Sequence, residues 1–152
     1  MAVVEGGRTA HAGEGITNAY LRWYSRLVWI GLTFNLGFAV MALFAPHTLQ
    51  DWMDLEPLEW TAWLRNVGML LVIVSLFNAG AALAPLRYPL YSWLVPIARV
   101  IAATFFFDVV FLNSFDSADR PNAFITLAVF DLTFGVVCGA LLYVGLRRSR
   151  AA

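Results

Sequence analysis

Arg65, Arg99, Asp108 and Asp131 stand inside apolar runs of this chain. The amide of Asn35 joins them. In the stretch ARVIAATFFFDVVF, Arg99 and Asp108 are set among alanine, phenylalanine and branched aliphatics. Side chains of these types in such surroundings can pair as ions, hold a polar part of a ligand or a neighbouring subunit, or carry protons. Pairing with arginine favours the charged carboxylate, so a paired aspartate is a poor proton carrier. That weighs against a proton relay and leaves two roles open, a structural clamp and a contact site for ligand or subunit.

Other chemistries lack their residues. The chain holds no Ser–His–Asp arrangement, H-E-x-x-H, P-loop or G-x-G-x-x-G. His11 and His47 are its two histidines and neither lies in an apolar run, so the chain cannot supply a bis-histidine haem within a membrane. Cys138 is the single cysteine, which rules out an internal disulfide or a cysteine-held iron–sulfur cluster. His47 and Asp51 share one helix face, with Asp54 close by, but too few ligands gather there for a metal site to be expected. No catalytic residue and no cofactor held by the chain alone are therefore expected; a bound lipid or quinone stays open.

The elements that must position these groups are membrane spans. The sequence is 61% hydrophobic and 13% charged, against about 25% charged in an ordinary soluble domain. Its apolar residues gather into runs at about 20–44, 61–83, 89–112 and 122–146. Each is long enough to cross ~30 Å of hydrocarbon, where the backbone must bond to itself and so becomes helical. An all-α, integral membrane four-helix bundle is expected over 17–148, between a flexible tail at 1–16 and a short one at 149–152. Thr17 or Asn18 is placed to cap the first helix. The net charge is zero, so no field favours nucleic acid.

Arginine sets the expected orientation. Arg8, Arg22 and Arg26 precede the apolar core that begins at Leu27, Arg87 lies in the second turn, and Arg147, Arg148 and Arg150 follow the last run. The opposite loops hold Asp51, Asp54, Glu56, Glu59, Asp116 and Asp119, with Arg120 their one base. The positive-inside rule then puts both termini in the cytoplasm (N-in/C-in) of a bacterial inner membrane. The first outer loop, PHTLQDWMDLEPLEW, alternates apolar and acidic residues and reads as an amphipathic piece lying on the outer surface. The six tryptophans fall near run ends, as in an aromatic belt.

Depth suggests how the charges pair. Arg99 lies about 15 Å along a helix from Pro89, and Asp131 about 14 Å from Asn122, so both fall near mid-membrane. Arg65 and Asp108 each lie about one turn inside the outer edge. Two couples are expected, Arg99 with Asp131 and Arg65 with Asp108. An unpaired charge at mid-bilayer costs at least about 2.5–3.5 kcal/mol on insertion scales. Asn35 is expected to bond across helices, and Gly135 and Gly139 form a G-x-x-x-G spacing for close helix packing, inside the bundle or between subunits.

The segment WLRNVGMLLVIVSLFNAGAALAPLRYPLYSWLVPIARVIAATFF adds a family likeness. Its Arg65 and Gly68, its short Pro85–Pro89 turn and its Arg99 resemble small bacterial four-helix membrane proteins grouped as DoxX-like. The lysine-free chain lacks the Gly-x-x-Lys-Leu signature of better-known members, so no catalytic residue carries over. The resemblance implies a membrane subunit linked to sulfur or quinone redox systems.

The expected function is a non-catalytic integral subunit, embedded in the lipid bilayer and packing against a larger membrane-protein partner, in an electron-transfer complex. The rival is a small membrane enzyme or binding protein for a lipid, quinone or other apolar ligand held near Asn35, Arg99 and Asp131. A third reading is a transporter, which four helices would form only as a homo-oligomer.

Overall fold

A computed structural model describes residues 18–53, 61–113 and 122–151. The expected tail at 1–16, much of the first outer loop and the whole 114–121 connection lie outside the described residues. All regular elements described are helical: α1 (Ala19–Phe44), α2 (Pro46–Trp52), α3 (Ala62–Leu83), α4 (Pro89–Asp108, continued by a π turn Val109–Asn113) and α5 (Asn122–Ala151). Four of them, with α4 counted through Phe111, are long and apolar enough to cross a membrane. By length and composition the chain is a multi-pass helical membrane protein.

Local chemistry explains several ends. Asn18 caps α1, its side-chain oxygen accepting from the Tyr20 amide. Its amide nitrogen donates to the Gly145 carbonyl at 2.9 Å, which puts the start of α1 beside the last turns of α5. Prolines stand at the first turns of α2 and α4, where a missing N–H costs nothing. One helix end departs from expectation. The last run does not yield to a tail at 149–152, because α5 stays helical to Ala151. Arginine is a good helix former, and Arg148 and Arg150 in the last turn oppose the negative end of the helix dipole.

The long helices form a ring. The most extensive contacts join α1 to α3 and α4 to α5, while α1 with α5 and α3 with α4 close the circle. Thus α3 and α4, though linked by the tight Ala84–Tyr88 turn, pack more on other partners than on each other. Small residues decide this. A Cβ at Gly68 on α3 would come 3.1 Å from the Ala39 carbonyl oxygen of α1. A Cβ at Gly135 on α5 would come 3.0 Å from the Pro96 carbonyl oxygen of α4. Backbones approach closely only where no side chain intervenes.

Two apolar clusters fill the bundle. One gathers Leu21, Tyr24, Val28, Val95, Phe134, Cys138 and Leu142 near the end that holds Asn18. The other gathers Ala42, Leu49, Met53 and Leu64 at the opposite end, with Phe38, Phe124 and Leu127 packed on it. Leu49 and Met53 correct the reading of the first outer loop as a surface-lying piece. In α2 and the residue after it, Leu49, Gln50 and Met53 are buried while His47, Asp51 and Trp52 stay exposed. The apolar side of α2 caps the protein core instead of resting on lipid. Trp23, Trp52 and Trp63 are exposed near helix ends, whereas Trp29, also exposed, sits deeper along α1.

Candidate functional site

The charged groups meet between the two apolar clusters. On α1, Asn35 falls between Val28 and Ala42; on α5, Asp131 falls between Leu127 and Phe134. Arg99 on α4 reaches both. Its Nη1 donates to Asp131 Oδ1 at 2.5 Å, and its Nη2 donates to Asn35 Oδ1 at 2.7 Å. The same Nη2 lies 3.4 Å from the Gly31 carbonyl oxygen. The guanidinium carbon stands 5.2 Å from the centre of the Phe134 ring, a cation–π distance. The Arg99 and Asp131 side chains retain 14% and 8% of their exposure. One cation is thus enclosed by an anion, an amide oxygen, a backbone oxygen and a π face.

Glycine makes the room. A Cβ at Gly31 would come 2.7 Å from Phe134 Cζ and 3.3 Å from Arg99 Nη2. At Gly135 a Cβ would lie 3.1 Å from Arg99 Cβ as well as against Pro96. The G-x-x-x-G spacing therefore faces α4 inside the bundle, since a Cβ at Gly139 would also meet Pro96, at 3.5 Å. Cys138 between the two glycines is fully buried in the core.

The first expected couple is present and the second is not. Among the described residues no ion pair joins Arg65 to Asp108. Leu64 and Gly68, one turn apart, mark the inward line of α3, and Arg65 falls on its exposed side. Asp108 is half-buried where α4 passes into the π turn, and it is not a free carboxylate.

A second polar contact accompanies Arg99 on α4. Pro96 has no N–H, so the Ser92 carbonyl loses its partner four residues on. The Tyr24 hydroxyl of α1 donates to that carbonyl at 2.8 Å, and both residues are fully buried. A buried carbonyl left without a partner costs about 1–3 kcal/mol, so this bond restores what proline removes. Ser25 of α1 similarly donates to the Ala82 carbonyl of α3 at 2.5 Å.

Gly31, Phe134, Pro96 and Tyr24 escaped the sequence reading. Part of their signal was there: Gly31 precedes Asn35 by one helical turn, and Phe134 and Gly135 follow Asp131 by one, which puts each on the face of its polar neighbour.

The site these contacts build is an internally neutralised polar clamp in a four-span helical membrane protein. No protein-family model, curated protein or solved structure matches the chain.

Proposed function

We propose that the chain is a non-catalytic integral subunit of a bacterial inner membrane, with both termini in the cytoplasm, that packs against a larger membrane complex of electron transfer. The observation that carries this reading is the way Arg99 is spent. Its donors go to Asp131, Asn35 and Gly31, and its face to Phe134, which leaves the polar centre with structural work in place of chemistry.

The outward surfaces support a packing role. On α3, Met69, Leu70, Ile73, Leu76 and Phe77 are exposed. A Cβ at Gly37 of α1, or at Gly80 of α3, would meet nothing within 4 Å, so a partner helix has room to approach there. The rival reading, an apolar ligand among Asn35, Arg99 and Asp131, has less support because Arg99 already bonds both of the others. The arginine bias of the end holding Arg22, Arg26, Arg87, Arg147 and Arg148 supports the orientation.

Purification of the full chain from its native membrane in mild detergent, with mass spectrometry of what accompanies it, tests the proposal. A larger membrane protein in fixed stoichiometry is the expected result. A lone monomer, or a symmetric oligomer of this chain alone, would overturn it.

A further inference from the structure

At the end of the bundle where α1 begins and α5 finishes, a groove of about 440 Å³ runs between the start of α4 and the last turns of α5. Leu86, Leu90, Trp93 and Leu146 supply apolar walls; Ser149 and Arg150 line it too.

The arginines around it are not equivalent. Arg26 stands over Trp23, Arg87 over Tyr88, Arg147 over Tyr143 and Arg148 over Tyr20, at 4.7 to 5.5 Å from the ring centres. Arg150, like Arg22, has no such ring and no carboxylate among the described residues, which hold no Asp or Glu at this end. The Ser149 hydroxyl already donates to the Gly145 carbonyl. Arg150 is the arginine that lines the groove itself, which therefore joins apolar walls to a guanidinium at the arginine-rich end of the bundle.

We propose that this groove binds one anionic phospholipid, its phosphate on Arg150 and an acyl chain along Leu86, Leu90, Trp93 and Leu146. A guanidinium suits phosphate because its planar fork offers paired N–H donors. A zwitterionic lipid could fill the same walls but would bring its own cation to an end already crowded with arginine. The inference goes beyond the proposed subunit role and needs no partner protein; it rests only on the four helices spanning a membrane.

Native mass spectrometry of the full chain, titrated with phosphatidylglycerol and separately with phosphatidylcholine, tests it. Preferential retention of phosphatidylglycerol is expected. Arg150→Gln should weaken that retention about fivefold, the effect of one arginine near an anionic lipid surface. Arg147→Gln removes the same charge outside the groove and should leave retention nearly unchanged. Leu90→Trp, which fills the groove without altering charge, should displace the lipid. Equal retention of the two lipids, or equal losses in Arg150→Gln and Arg147→Gln, would overturn the proposal. So would displacement of the lipid by millimolar inorganic phosphate, which would make the site one for the free ion.

Discussion

The Tyr24 hydroxyl bonds the Ser92 carbonyl, the one backbone acceptor that Pro96 leaves without a helical partner. A defect in α4 thereby becomes a tie to α1, its diagonal neighbour in the ring, on the same helix that carries Arg99. The two features have one logic. On α4, the orphaned Ser92 carbonyl and the Arg99 guanidinium are each met by groups from another helix.

Tyr24→Phe should destabilise detergent-purified protein by about 1–3 kcal/mol, because it leaves a buried carbonyl unpaired. In a Pro96→Ala background the amide of residue 96 is available to that carbonyl, and Ala keeps the Cβ and carbonyl that face α5. The loss on Tyr24→Phe should then shrink. Unfolding in a denaturing detergent titration measures both; equal losses in the two backgrounds would contradict the compensation.

The two glycines of the G-x-x-x-G spacing should behave differently. Gly135→Ala forces a Cβ against the Pro96 carbonyl and should cost about 1–3 kcal/mol. Gly139→Ala makes an ordinary contact at 3.5 Å and should stay within about 0.5 kcal/mol. If instead either substitution abolished self-association while leaving stability intact, the seam would lie between copies of the chain.

Burial of α2 has a consequence of its own. Leu49→Ala should cost about 2–5 kcal/mol, the range for emptying a packed core position. Asp51→Ala, on the exposed side of the same helix, should change stability little. Comparable small effects from both would return α2 to the surface.

What could be read in advance follows from what lipid imposes. The long apolar runs and their helical state were legible, since a bilayer core permits little else. The Arg99–Asp131 pair was legible from depth, because two opposite charges near mid-membrane gain much by meeting. Depth alone failed for Arg65 and Asp108, where facing matters: the inward line of α3 runs through Leu64 and Gly68 and carries Arg65 outward. Asn35 was expected to bond across helices, but its partner, Arg99, depends on how α1 and α4 face across the ring. The role of Gly31 depends on the position of Phe134, which lies far away in sequence. For α2, an alternating apolar pattern suits a lipid surface and a protein core equally, and only the packing distinguishes them.

The central claim is that Arg99 and Asp131 neutralise each other inside the chain. A double-mutant cycle with Arg99→Met and Asp131→Leu, read as unfolding free energy of detergent-purified protein, tests it most directly. Each single change should cost about 3–5 kcal/mol by leaving a buried charge uncompensated, and the double mutant should lose clearly less than the sum. Strictly additive losses would mean that the two groups do not depend on each other, and the clamp would not exist.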